Sequence, residues 1–414
     1  MNNSRRLRAL IMSTSLLLRQ VRHLSTPAAA AAASSSAISI SKAKAKLRSE
    51  LDPGKALEIY SSVSNHYTSP VSSRYAQDLT VKRLAKSRRF ADIETLLESH
   101  KNDPKITQEP YISTLIRSYG LAGMFDHSLK TYNQMDDLGT PRSAISFNAL
   151  LSACNQSKLF NQVPKLFKEI PQKYGFLPDR VSYGVLVKSY CESGSPELAI
   201  ETMNEMEDKG IEITTVTFTT ILDALYKKGI RDEAERIWNE MLKNGCLPDV
   251  AVYNVRLMHH SQGGEAENVK GLIEEMSNLG LKPDTISYNY LMTCYCKCGM
   301  MDEAKKVYQG LEENGCYPNA ATFRTLIYHM CRSEDFEEGY EMFKKSVKVH
   351  KIPDFNTLKH LVHGLVKKSK IDEAKRMCWT AKKKFPANFL NAWRKLEEQL
   401  DLAAIPSSGT GEKR

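Results

Sequence analysis

Five basic side chains, Lys86, Lys227, Lys297, Arg332 and Lys367, recur at intervals close to multiples of 35 residues. Lysine and arginine are the side chains that hold phosphate. A single strand advancing one nucleotide per structural step would meet one such cation per step, and contacts of that kind position a backbone without reading its bases. If all five engage the phosphates of a single strand, log affinity should fall with log salt at a slope of roughly −3.5, from about −0.7 per neutralised phosphate. A solvated helix face presents the same residues, so both readings stay open. The cysteines and histidines offer less. On a helix, residues two apart point to different sides, so Cys294, Cys296 and Cys298 do not form a closed zinc set. Cys191, Cys296 and Cys331 share one register position, and Cys246 and Cys316 another, as small buried residues do. His259-His260 and His360-x-x-His363 lack the glutamate of a zincin, and the His-x-Glu with Cys-x-x-Cys signature of nucleic-acid deaminases is absent. No catalytic residue, metal or cofactor is assigned.

The elements that must position the cations are repeats. Asp-Glu-Ala recurs at 232–234, 302–304 and 372–374, and Gly210, Gly245, Gly280 and Gly315 are 35 apart, as are Pro248, Pro283, Pro318 and Pro353. A fixed period of this length means that each unit buries its apolar face only against its neighbours. Residues 285–319 make two helices and a turn legible. The first half carries Ile286, Leu291, Met292 and Tyr295 near helical spacing, and the second carries Ala304, Val307, Tyr308 and Leu311. Gly299 stops the first helix; Gly315 with Pro318 stops the second. Small Ala at 199, 234, 304 and 374 marks close helix approach.

The fold class read from this is all-α, a superhelical solenoid whose long concave surface is the expected binding site. Units start at 74, 109, 144, 180, 215, 250, 285, 320 and 355, each of 35 residues except 144–179, which has one more. Residues 42–73 read as a degenerate half-repeat, 74–389 as the array, 390–402 as a capping helix and 403–414 as a disordered tail.

The chain of 414 residues has a net charge of +10, but residues 1–49 hold nine Lys/Arg and no Asp or Glu, leaving +1 for the rest. Whole-chain charge is therefore weak support for RNA binding; placement decides. The acid-free start interleaves Arg5, Arg6, Arg8, Arg19 and Arg22 with leucines before an Ala/Ser tract, which reads as a targeting peptide with linker over 1–41. Arg22-His23-Leu24-Ser25-Thr26 resembles a mitochondrial processing pattern with cleavage near Leu24, and the Ala/Ser run keeps chloroplast as the alternative. No run approaches the roughly 18 apolar residues of a membrane span.

Thr217-Phe218-Thr219-Thr220-Ile221-Leu222, Val252-Tyr253-Asn254 and Ile286-Ser287-Tyr288-Asn289, with the Asp-Glu-Ala and Gly-x-x-Pro-Asp marks, resemble the pentatricopeptide repeat family. The Trp-x-x-Leu-Gly pattern of tetratricopeptide repeats is absent. The resemblance covers residues 74–389, and the uniform 35-residue units resemble its P class. It implies a right-handed superhelix, organellar single-stranded RNA as ligand, and about one base read per repeat by the fifth and last residues of each unit.

By that code, four pairs are assignable: Asn148 with Asp179 for U, Thr219 with Asp249 for G, Asn254 with Asp284 for U, and Asn289 with Asn319 for C over U. With the family's polarity they spell 5′-U-N-G-U-Y-3′. The second residue of each unit is expected to wedge between bases, a role suited to Ile145, Val181, Val216 and Ile286; Ala251 and Ala321 are small departures. The remaining pairs, such as Asp78 with Gln108, Ser113 with Ser143, Gly184 with Thr214, Arg324 with Asp354 and Lys359 with Phe389, are not assignable. Two functions follow. One is a non-catalytic RNA binder supporting stabilisation, processing or translation of organellar transcripts. The alternative is a structural subunit associated with the mitochondrial ribosome, contacting rRNA and ribosomal proteins.

Overall fold

Most first helices begin at a residue whose side chain caps the first turn, whereas most second helices begin without such a cap. A computed structural model describes residues 40–50, 52–64, 70–385 and 389–402, and the regular structure among them is helical. Of the targeting segment read over 1–41, only residues 40 and 41 are described, as the start of the helix Ile40–Ser49; the polar tail from 403 lies outside the described residues. The chain divides between Leu247 and Pro248 into two compact units.

In the unit before Pro248, helix pairs follow one another: Glu109–Leu121 with Phe125–Asn133, Ala144–Gln156 with Val163–Tyr174, Arg180–Glu192 with Pro196–Asp208, and Thr215–Lys228 with Arg231–Lys243. In the other unit the pairs are Val250–Gly263 with Ala266–Asn278, Thr285–Lys297 with Met301–Gln309, Ala320–Arg332 with Phe336–Lys348, and Phe355–Lys367 with Ile371–Lys384, closed by Leu390–Gln399. Within each unit every first helix packs on its own second helix and on the first helices of adjacent pairs. Eight first helices start at the residues read from the period, 109 through 355; the helix of the unit at 74 starts earlier, at Pro70.

The register has a local cause. Asp179, Asp284, Asn319 and Asp354 sit in extended backbone and accept hydrogen bonds from N–H groups of the first turn that follows. Such caps satisfy donors that a helix start leaves unpaired, at about 1 kcal/mol each. Ala199, Ala234, Ala304 and Ala374 are fully buried, as close helix approach requires.

Residues 42–73 differ from the half-repeat expected there. They hold a complete pair, Ile40–Ser49 with Pro53–Ser64, and the start of Pro70–Lys86. Ala43, Leu47, Ala56, Tyr60 and Val63 make a small core of their own with Ala76 and Leu96. The apolar spacing was too short to reveal two helices. The extra residue of the unit at 144 is absorbed in its second helix, whose first turn is a 3₁₀ turn, Phe160–Gln162, ahead of Pro164. Of the apolar face read for residues 285–319, Leu291, Met292, Tyr295, Ala304 and Leu311 are buried, whereas Ile286 faces solvent.

Gly299 takes φ +75, yet the equivalent turns at Lys158, Glu334 and Ser369 take φ +60, +58 and +61 with side chains in place. A left-handed backbone costs an L-residue roughly 1–2 kcal/mol, less the entropy that glycine itself forfeits. Lys158 is exposed, so Lys158→Gly should stabilise the chain by about 0.5–1 kcal/mol. Thermal unfolding checks this, and an unchanged or lower midpoint would remove strain as the reason glycine recurs at this turn.

Candidate nucleic-acid interface

The residues expected to read bases are held by a hydrogen-bond relay that also caps the helices. In the first unit, Asn148 Nδ2 donates to Asp179 Oδ1 at 3.0 Å, and the Ser182 hydroxyl donates to Asn148 Oδ1 at 2.6 Å. Asp179 Oδ1 in turn accepts the Ser182 N–H at 2.9 Å. The same arrangement recurs in the other unit. Asn254 Nδ2 donates to Asp284 Oδ1 at 3.2 Å and Ser287 Oγ to Asn254 Oδ1 at 2.7 Å. Asn289 Nδ2 donates to Asn319 Oδ1 at 3.3 Å and Thr322 Oγ1 to Asn289 Oδ1 at 2.7 Å. Each amide is thus pinned at both ends while keeping one N–H and one lone pair for a ligand. Ser182, Ser287 and Thr322 were missed as site residues; the signal was present, since a hydroxyl three residues after an Asp or Asn cap spells a capping motif.

The last residue of each pair differs in what it offers. Burial works against the charge of Asp179, but hydrogen bonds from the Ser182 and Val181 N–H groups, the Asn148 amide and the Ser182 hydroxyl outweigh it and hold the carboxyl below its ordinary range. It is therefore a pure acceptor at neutral pH, matching a base that presents an N–H. Asn319 spends its Oδ1 on the Ala321 and Thr322 N–H groups, leaving its amide nitrogen without a partner among the described residues. That nitrogen is a donor, suited to a base that presents an acceptor.

Thr219 and Asp249 belong to different units. The Thr219 hydroxyl donates to Thr215 O at 2.7 Å within its own helix, and Asp249 accepts the Val252 N–H at 3.0 Å as a cap. The unassignable pair Ser113 with Ser143 has a structural reason. Ser113 is buried and bonds to Glu109 O, while Ser143 N and Oγ are both held by the Glu109 carboxylate at 2.7 Å.

Ile145, Val181, Val216 and Ile286 are 47–71% exposed, although aliphatic side chains of this size usually lie inside. Ile145 and Val181 stand beside Asn148. In the first unit Ile145, Val181, Asn148 and Arg117 share the wall of a hollow of about 270 Å³, with Arg74 at its rim. Arg117 Nη2 is 4.0 Å from Asp78, and its Nε is buried with no hydrogen-bond partner among the described residues. Neither arginine was marked by the sequence register. Tyr75 was also missed; it is the second residue of its unit, 42% exposed, with Arg48 stacked over its ring.

The basic residues are exposed but not all free. Lys227 pairs with Asp223 at 2.6 Å and Lys367 with Glu334 at 2.7 Å, while Lys297 donates to Gln262 O at 3.3 Å. Lys86 and Arg332 have no ion-pair partner among the described residues. Exposed pairs of this kind contribute about 0–1 kcal/mol and give way readily to phosphate.

All nine cysteines are free thiols, and no group of three His, Cys, Asp or Glu among the described residues converges as a metal site. Burial pushes Cys294 up to about 11 and Cys296 up to about 12, whereas Cys298 is exposed. A native thiol titration at neutral pH should therefore find Cys298 reacting first, with Cys154, Cys294 and Cys378 silent until the chain unfolds. Rapid loss of several thiols would contradict this packing.

Profiles of the PPR repeat family match residues 178–227, 213–257 and 283–332, and those of the PPR repeat match 113–140, 145–174 and 321–348. The small ribosomal subunit protein mL103 (rPPR7) of Arabidopsis thaliana is 64% identical over 367 residues, covering 87% of this chain and 89% of its own. The chain belongs to the pentatricopeptide repeat family. Another Arabidopsis thaliana relative, a mitochondrial pentatricopeptide repeat-containing protein, is 59% identical over 227 residues, covering 55% of this chain and 54% of its own. The crystal structure of the pentatricopeptide repeat protein PPR10 from maize aligns with TM-score 0.46 at 19% identity, over 87% of this chain and 59% of that one. Among the described residues, no helix of this pentatricopeptide repeat chain is long and apolar enough to cross a membrane.

Proposed function

We propose that this protein is a non-catalytic subunit associated with the mitochondrial small ribosomal subunit, holding single-stranded rRNA on the exposed face of its first helices and contacting ribosomal proteins. The observation that carries this reading is the 64% identity, sustained over nearly the whole of both chains, to a small ribosomal subunit protein. The near-neutral array and the short run of assignable pairs support it as well: four bases cannot single out one transcript, but they can seat a protein already brought to its RNA by neighbours. A transcript-specific role in stabilisation, processing or translation rests on the same pairs and takes second place.

The RNA-facing chemistry in this proposal is divided by residue. Asn148 with Asp179, Asn254 with Asp284 and Asn289 with Asn319 read bases, and Thr219 and Asp249 each offer a polar group within their own unit; Ile145, Val181, Val216 and Ile286 separate the bases. Lys86, Lys227, Lys297, Arg332 and Lys367 carry phosphates. Lys227→Ala with Lys297→Ala should weaken every RNA alike and make the log–log salt slope shallower by about 1.4; an unchanged slope would remove these lysines from the interface.

The deciding experiment is sedimentation of the tagged chain from mitochondria, followed by sequencing of crosslinked RNA. Co-sedimentation with the small subunit and fragments from one rRNA are expected. A free protein at the top of the gradient, crosslinked to a few messenger sites containing U-N-G-U-Y, would overturn the ribosomal reading in favour of the second.

A further inference from the structure

We infer that the helices Ala320–Arg332 and Phe355–Lys367 form a site that grips RNA by its phosphates and riboses irrespective of base, extending the proposed RNA contact, on which this inference rests, beyond the last base-reading pair. The first observation is what replaces the asparagines. Arg324 and Lys359 stand 35 and 70 residues after Asn289, at the same register. Both are donors only, so the paired donor and acceptor of the asparagine amide is lost. Their partners at the unit ends change too. Asp354 bonds to Thr357 as a helix cap and feels the Arg324 charge, and the Phe389 ring lies 6.1 Å from Phe355 and offers no polar atom.

The second observation is the charge. Neither helix carries an Asp or Glu, while together they carry Arg324, Arg332, Lys359 and Lys367. Arg332 and Lys359 have no ion-pair partner among the described residues. Lys367 shares Glu334 with Lys368, at 2.7 and 3.6 Å, with all three side chains exposed. A phosphate can displace that carboxylate at little cost.

The third is a hollow of about 380 Å³ between the two helices, whose walls include Tyr328, Arg332, His360, His363 and Lys367. Its floor is the Phe336 ring, packed so tightly on Gly364 that a Cβ there would lie 2.0 Å from it. Tyr328 is 41% exposed, and an aromatic face accepts any base or ribose. A cavity lined by two cations, two imidazoles and two aromatic rings, with no carboxylate in its wall, suits one anionic nucleotide step. It lacks the side-chain amide with which Asn254 and Asn289 offer a donor and an acceptor together.

The test uses the full chain and three RNAs: the five-mer U-N-G-U-Y, the five-mer extended at its 3′ end by three mixed nucleotides, and the five-mer extended by three abasic ribose phosphates. Both extensions should tighten binding about tenfold, equally, with a salt slope steeper by about 2. In Arg324→Gln/Lys359→Gln the ratio of extended to five-mer affinity should fall to about one, and Lys359→Arg should keep it. Both RNAs are measured on the same variant, so a general loss of folding cannot mimic the result. No gain on extension, or a gain that needs particular bases, overturns the inference and leaves the base-reading pairs standing. Failure of the five-mer itself to bind removes the RNA reading and this site with it.

Discussion

Gly120→Ala should lower the midpoint of thermal unfolding by about 2–12 °C. Gly120 is buried in Glu109–Leu121 against Ala144–Gln156, where an added Cβ would fall 2.4 Å from Ala153 Cα and 2.5 Å from Ala153 Cβ. No rotamer relieves a clash with backbone, so the two helices must separate. Around them Leu115, Ile116, Tyr119, Leu150 and Phe147 are fully buried in one core and lose contact as the gap opens. Overpacking of this kind costs about 1–3 kcal/mol, and for a unit of this size each kcal/mol moves the midpoint by about 2–4 °C. Gly271→Ala is the control. Gly271 lies inside Ala266–Asn278 with nothing within 4 Å of the built Cβ, so the better helix former should raise stability by about 0.5–1 kcal/mol. A Gly120→Ala protein as stable as its parent would mean that the close approach of these helices is not what holds the unit.

The second large effect is on RNA. Asn254→Ala with Asn289→Ala should weaken binding of U-N-G-U-Y about 30-fold, while a scrambled RNA of equal length binds as before. Each asparagine is expected to give a base about one net hydrogen bond, worth about 1 kcal/mol, and 2 kcal/mol corresponds to that factor. The comparison isolates reading from gripping, because the cations are untouched. Ser287→Ala sharpens it: the Asn254 amide loses the 2.7 Å bond that fixes its orientation, so U over C discrimination should relax with little change in total affinity. Equal losses on both RNAs would instead mean that the asparagines only cap and pack, and the pairs carry no sequence information.

Much of the architecture was legible because each unit is built from local physics. Asp284 begins a helix by accepting N–H bonds two and three residues on, and Gly299 turns left-handed just past Thr285–Lys297; both effects act within a few residues and leave marks at fixed spacing, whereas the second helix, Met301–Gln309, stops at Gly310 with φ −80, short of the Gly315 expected to end it. The pair at residues 40–64 escaped although one such mark is there: Asp52 accepts the Lys55 N–H at 2.8 Å at the start of Pro53–Ser64.

The candidate site divides along the same line. Register alone placed Asn148, Asn254 and Asn289 at equivalent positions, and Ile145, Val181, Val216 and Ile286 beside them. What it could not place were the bonds from Ser182, Ser287 and Thr322, which arise only when the next unit packs 33 or 34 residues away. The ion pair of Lys227 with Asp223 was implicit in helical spacing, whereas that of Lys367 with Glu334 spans 33 residues and needed the turn between helices. Sequence by itself determined the helix pairs, their period and which residues share a face, because capping, turning and apolar spacing are short-range. Tertiary structure alone decided which amides are pinned, which cations stay unpaired and where Phe336 meets Gly364 to floor a hollow, because those depend on the approach of chain segments that no local signal encodes.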